Sequence, residues 1–134
     1  MVSSTAESAE AMGRDVRRVG IDLVEVDRIR RILERHGPRF LGRVYTPREI
    51  DYCAGRVTSL AARWAAKEAV AKALGCGLGA VHWLEIEVLN DHEGGPSLAL
   101  HGEALKWASR LNLTQWSISL SHTKEYAVAF VVLS

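Results

Sequence analysis

Apolar positions along this chain change their period in an ordered way. From Arg18 the run VGIDLVEV is dominated by apolar and β-branched residues and predicts a first strand, with Asp22 inside it. DRIRRILERHG then sets Ile29, Ile32 and Leu33 at helical spacing, with Arg28, Arg31 and Arg35 on the opposite face, and Gly37-Pro38 predicts the end of that helix. Thr46-Pro47-Arg48-Glu49 combines an N-cap threonine, proline at the first helical position and a glutamate three residues after the cap, which predicts a short helix from Pro47 to near Gly55. The longest helical signal runs from about Thr58 to Leu74, where Leu60, Trp64, Ala71 and Leu74 make an apolar stripe and Gly75 closes it.

Beyond a flexible crossing at Gly75, Gly77 and Gly79, the period switches to two. Leu84, Ile86 and Val88 alternate with Glu85, Glu87 and Leu89, and the turn DHEGGP leads into a short strand over Ser97–Leu100, a hairpin pattern. Glu103–Leu111 reads as a helix. Trp116, Ile118 and Leu120 then alternate with Ser117, Ser119 and Ser121, and after SHTKE the strand Tyr126–Leu133 returns, placing His122 in the connection of a second hairpin. The order β-α-α-α-β-β-α-β-β predicts an α+β fold with an antiparallel sheet covered by helices. Residues 1–17 are small and polar and read as a disordered tail, which leaves 18–134 as one domain.

Composition narrows the function classes. The 134 residues carry a formal net charge of +1, so the molecule as a whole is not a polycation built for nucleic acid or an anionic membrane. Its basic character is local: Arg28, Arg30, Arg31, Arg35, Arg39 and Arg43 meet a single acid, Glu34. No apolar run approaches the roughly 20 residues that span a bilayer. The amino terminus lacks the basic-then-apolar order of a secretory signal, so a cytoplasmic location is expected. Cys53 and Cys76 have neither a Cys-x-x-Cys arrangement nor a histidine at metal spacing and read as reduced thiols.

The sharpest candidate chemistry lies in Arg63-Trp64-Ala65-Ala66-Lys67-Glu68-Ala69-Val70-Ala71-Lys72. Glu68 and Lys72 stand one turn apart on one side of a helix, which by itself describes a solvated ion pair. Asp22, inside an apolar strand, is costly to bury without a positive or hydrogen-bonding partner, or else caps the helix that follows. His122 taken alone is an ordinary hairpin histidine. Together, two carboxylates, a lysine and a histidine suit a magnesium-phosphate site, because magnesium takes oxygen ligands and fills its octahedron with water and phosphate oxygens.

GIDLVEVDRI, TPREIDYC, RWAAKEAVAKALG, EIEVLNDHEGGPSLAL and SISLSHTKEYAVAFVV resemble, in order and spacing, the small bacterial holo-acyl carrier protein synthases over about residues 19–133. The resemblance implies the 4'-phosphopantetheinyl transferase fold and transfer of the 4'-phosphopantetheine arm of coenzyme A to a serine of apo-acyl carrier protein, with release of adenosine 3',5'-bisphosphate, in support of fatty acid or polyketide biosynthesis. It implies that Asp22 and Glu68 ligate Mg2+, that Lys72 holds the pyrophosphate, that His122 lies beside the phosphates and that Arg63 belongs to the nucleotide end. It also implies a homotrimer with active sites between subunits.

Such a transfer needs mainly positioning and charge neutralisation. The proton acceptor for the serine is open among Glu68, His122, Asp22 and a metal-bound water, with a water oriented by Asp22 and Glu68 favoured. Acyl carrier proteins are acidic, which gives the face of Arg28, Arg31 and Arg35 a purpose as a docking surface, against the alternative of a solvated helix face. Two rival readings are a coenzyme A-binding module without transfer activity and a small nucleic-acid-binding protein. The second is disfavoured because the arginine-rich stretch lacks interleaved aromatics.

Overall fold

The β-branched run after Arg17 forms strand β1 (Arg18–Glu25) in the computed structural model, which describes residues 17–134. The expected tail therefore falls, apart from Arg17, outside the described residues. Gly20, Asp22 and Val24 of β1 point to the covered side, while Val19, Ile21 and Leu23 face outward.

Helix α1 (Val26–Val44) corrects the expectation that Gly37-Pro38 ends the helix. Gly37 does leave helical geometry, at φ 48° and ψ −127°, but only as a kink. Pro38 then opens a second helical segment, where its missing N–H would be unpaired in any case, and Phe40 and Val44 bury the continuation. Helix α2 (Pro47–Cys53) starts with the anticipated box: Thr46 Oγ1 accepts from the Glu49 N–H at 3.3 Å, and Glu49 Oε1 accepts from the Thr46 N–H at 2.9 Å. Ala54 and Gly55, at φ 45° and 79°, turn the chain sharply into α3 (Val57–Leu74), and Gly75 closes that helix at φ 79°.

Helix α3 buries far more than a stripe. Its alanines are sealed on almost every side, and Arg63 and Lys67 are buried with them. Such an all-round interior surface belongs to a helix with neighbours on several sides. One side lies across β1 and β5, and others meet α1, α2 and β2.

After a single 3-10 turn at Trp83–Glu85 come β2 (Ile86–Asn90) and β3 (Pro96–Leu100), then α4 (Gly102–Arg110), β4 (Trp116–His122) and β5 (Tyr126–Leu133). Two expectations change here. Leu84 sits in the 3-10 turn and is exposed, and Glu87 is buried because the face assigned to solvent is covered by α2. The strands also form two antiparallel ladders rather than one: a three-stranded sheet in the order β1-β5-β4 and the separate hairpin β2-β3. Trp116 ties them together, its indole N–H donating to the Leu98 carbonyl at 3.1 Å. Cys53 is buried and Cys76 partly so, and neither is bridged.

Candidate active site

Glycine at position 20 sets the first part of the site. A Cβ there would collide with the backbone carbonyl of Ala69, so β1 and α3 meet backbone to backbone. Two residues farther along β1, on the same face, Asp22 is thereby brought to the side of α3 that carries Glu68 and Lys72. The Lys72 ammonium donates to Asp22 Oδ1 at 2.8 Å and to the Ile21 carbonyl at 3.0 Å. Lys72 thus pairs across 50 residues of sequence with a strand carboxylate. Asp22 is largely covered and Lys72 largely open to solvent, so the pair joins a half-buried carboxylate to an exposed ammonium.

Glu68 completes this group. Partial burial, and then the negative charge of Asp22, push its carboxyl above the ordinary glutamate range, while Lys72 and Arg28 pull the other way. Two neighbouring carboxylates whose charges oppose each other make a natural seat for a divalent cation. Among the described residues there is no group of three or more His, Cys, Asp or Glu side chains placed to hold a metal. A pair of hard oxygen donors that leaves positions for water and phosphate oxygens fits magnesium and does not fit a closed structural zinc site.

Arg63 and His122 occupy a different place. His122 ends β4, at the sheet edge opposite β1, and lines a pocket with Arg63, Tyr52, Ser59, Asn90 and Leu120. Arg63 is only 3% exposed. One terminal nitrogen donates to Asn90 Oδ1 at 3.3 Å, its guanidinium carbon lies 4.4 Å from the centre of the Tyr52 ring, and its Nε has no partner. A buried guanidinium with an unused donor is a strong local preference for an anion. The five site positions singled out from the sequence therefore divide: Asp22, Glu68 and Lys72 gather at one sheet edge, with the docking-face Arg28 nearby, and Arg63 and His122 gather at the other.

The arginine face on α1 is open to solvent. Arg28, Arg31 and Arg35 line a groove with Ile32, Glu34 and His36. The three arginines differ in their surroundings. Arg28 stacks 5.4 Å over the Trp64 ring, and Arg31 is paired with Asp27 at 2.8 Å. Arg35 lies one turn farther along and is exposed.

Periodicity alone missed a buried network behind the site. Lys67 donates to Glu49 Oε1 at 2.7 Å and to the carbonyls of Ile86 at 2.6 Å and Trp83 at 2.9 Å. Glu49 Oε2 accepts the Val88 N–H at 2.8 Å, and the Thr46 hydroxyl donates to Glu87 at 2.6 Å. A signal for Lys67 exists in the sequence, since it falls seven residues from both Leu60 and Leu74, on the apolar stripe itself.

Set against known proteins, this fold and site define a class. Residues 18–131 match the 4'-phosphopantetheinyl transferase superfamily. The chain belongs to that superfamily, within its family of small holo-[acyl-carrier-protein] synthases. It is 52% identical over 120 residues to the holo-[acyl-carrier-protein] synthase of Herpetosiphon aurantiacus, covering 84% of this chain and 94% of that one. The Helicobacter pylori synthase, solved in complex with coenzyme A, superposes with a TM-score of 0.79 at 32% identity, over 87% of this chain and 99% of the other. The Bacillus anthracis synthase, solved with coenzyme A (3',5'-ADP), gives 0.71 at 36% identity, over 87% and 94% of the two chains.

Proposed function

We propose that this protein transfers the 4'-phosphopantetheine arm of coenzyme A to a serine of apo-acyl carrier protein, releasing adenosine 3',5'-bisphosphate, and so serves fatty acid or polyketide synthesis. The observation that carries the chemistry is the meeting of Asp22, Lys72 and Glu68 across β1 and α3. Family membership supplies the substrates.

Asp22 and Glu68 are the residues that would hold Mg2+, which when bound supplies charge neutralisation at the pyrophosphate. Lys72 is held by Asp22 and the Ile21 carbonyl with its ammonium exposed, positioned to meet a phosphate oxygen and to stabilise charge that develops on the leaving phosphate. Arg63, with its unused donor, and His122 would receive the anionic nucleotide end. Sharing a pocket with Arg63 supports a phosphate-facing role for His122 over a role as proton acceptor beside the same chain's carboxylates.

These two half-sites stand at opposite edges of one sheet, which favours a reading in which copies of the chain complete each other. The outward face of that sheet supports it. Val19, Ile21 and Leu23 are 61%, 58% and 62% exposed, and Ile21 registers against Phe130, itself 43% exposed. A single chain leaves this apolar face bare, and a homotrimer joined there would bury it while bringing one copy's carboxylates toward the next copy's Arg63 and His122. The open face of Arg28, Arg31 and Arg35 is the surface for the acidic carrier. No helix among the described residues is long and apolar enough to cross a membrane, and a cytoplasmic setting accords with the free thiols.

The deciding experiment incubates the protein with coenzyme A, Mg2+ and apo-acyl carrier protein and weighs the intact carrier. A gain of one phosphopantetheine arm that disappears with chelator is the expected result. An unmodified carrier under saturating substrates would overturn the reading.

A further inference from the structure

The pocket at the β4 edge contains an aromatic ring whose position has a consequence for anion binding. Tyr52, next to last in α2, is half exposed, and the left-handed pair Ala54-Gly55 folds the chain straight back so that Arg56 returns to it. The Arg56 guanidinium carbon lies 5.1 Å from the Tyr52 ring centre, and that of Arg63 lies 4.4 Å from it. Arg56 also donates to the Tyr52 backbone carbonyl. Two cations thus converge on one ring, and among the described residues neither forms an ion pair with a carboxylate. Each charge meets the negative face of the ring, Arg63 also meets Asn90, and an entering anion would supply the remaining counter-charge.

We propose that Tyr52 is a positioning residue for nucleotide-phosphate recognition: its ring, not its hydroxyl, holds the Arg63 guanidinium with which it lines the pocket that contains His122, and it carries Arg56 beside that lining. This rests on the reading of that pocket as the nucleotide end of the site. The ring orients both cations before the anion arrives, so its contribution appears in ground-state affinity for the nucleotide. Chemistry at Asp22, Glu68 and Lys72, at the opposite sheet edge, does not depend on it.

The test uses the full chain and titrates adenosine 3',5'-bisphosphate calorimetrically into the wild type, Tyr52→Leu, Tyr52→Phe and Arg63→Gln, alongside steady-state kinetics. Tyr52→Leu is expected to weaken binding about three- to tenfold and to raise KM for coenzyme A in the same ratio, with kcat and KM for the carrier within about twofold of wild type. Tyr52→Phe, which keeps the ring, is expected to restore the affinity. Because Tyr52 is half exposed, these changes spare the core, and Tyr52→Met provides the same comparison at similar volume should leucine disturb folding. Wild-type binding by Tyr52→Leu together with weakened binding by Arg63→Gln would overturn the role of Tyr52 and leave the pocket standing. Wild-type binding by Arg63→Gln would overturn the pocket reading and the Tyr52 proposal with it. Equal losses in Tyr52→Phe and Tyr52→Leu would show that the hydroxyl acts and would also overturn the proposal.

Discussion

The ammonium of Lys67 lies 2.7 Å from Glu49 Oε1, and neither side chain has any exposure to solvent. All three ammonium donors are used, since the carbonyls of Trp83 and Ile86 take the other two. Burying such a pair costs desolvation that good geometry recovers, so its value lies less in added stability than in fixing register. It locks α3 to α2 and to the start of β2. Glu68 follows Lys67 directly, and Arg63 precedes it by one turn, so this buried contact determines where both groups of residues fall.

Lys67→Met leaves the Glu49 carboxylate buried without its partner. We expect a loss of about 3–5 kcal/mol in denaturant unfolding, the range for breaking a buried pair. The double variant Lys67→Met/Glu49→Leu should recover only part of it, because the N–H groups of Thr46 and Val88 then lose their acceptor. Additive losses in the double variant would show that the pair is not coupled.

Gly20→Ala tests the close approach of β1 to α3. The added methyl meets the Ala69 backbone, which cannot move aside as a flexible side chain would. Separation of the two elements pulls Asp22 from Lys72. Transfer activity is expected to fall more steeply than thermal stability, and retention of wild-type turnover would remove the close approach from the account of the site.

Glu68→Gln keeps shape and removes the charge of a carboxylate proposed to hold Mg2+. Transfer is expected to fall beyond the roughly 10–100-fold typical of changes one shell farther from a metal, with the melting temperature close to wild type. Burial and Asp22 raise the Glu68 carboxyl, so acidification protonates it earlier than an ordinary glutamate, whose value is near 4.5. The Mg2+ concentration needed for half-maximal rate should therefore begin to rise at a pH above that value. A magnesium requirement insensitive to pH down to that value would contradict the assignment.

For the carrier surface, the contrast between Arg28 and Arg35 is informative. Arg28 stacks on Trp64 and its charge reaches Glu68, so Arg28→Glu is expected to affect both substrates, with KM for carrier protein rising more than KM for coenzyme A. Arg35, one turn beyond Arg31 and exposed, isolates the encounter. Arg35→Glu should raise KM for the carrier alone, and the difference from wild type should shrink in high salt. An equal change in KM for coenzyme A would remove α1 as the docking face.

Glu87 gives a stability signature in acid. Burial pushes its carboxyl up, but hydrogen bonds from Thr46 and His101 and the charge of Arg48 outweigh this and hold it below the ordinary value near 4.5. A carboxyl held lower in the folded chain than in the unfolded one contributes stability that is complete above the unfolded value and is lost as pH falls through the folded one. Glu87→Gln should flatten that acid limb of the unfolding free energy. An unchanged slope would assign the acid sensitivity elsewhere.

Features decided by neighbouring residues were legible in the sequence. The Thr46–Glu49 box, the Gly75 helix end, both hairpins and the i,i+4 relation of Glu68 to Lys72 follow from backbone sterics and local hydrogen bonding. Gly37-Pro38 was legible as a break but not as a kink, because whether a helix resumes depends on the burial available to Phe40 and Val44. Burial of Glu87 and Lys67 was hidden because period-two and period-3.6 patterns assign charge to solvent unless a distant group meets it. Those groups, Thr46 and Glu49, arrive from another helix.

The ordered motifs by themselves determined the α+β class, the family and the identity of Asp22, Glu68, Lys72, Arg63 and His122 as the residues of interest. Tertiary structure alone decided that these residues form two groups. The reason is the antiparallel pairing of chain ends: β5 inserts between β1 and β4, so the strands bearing Asp22 and His122 become opposite edges of one sheet, with α3 laid across β1 and β5.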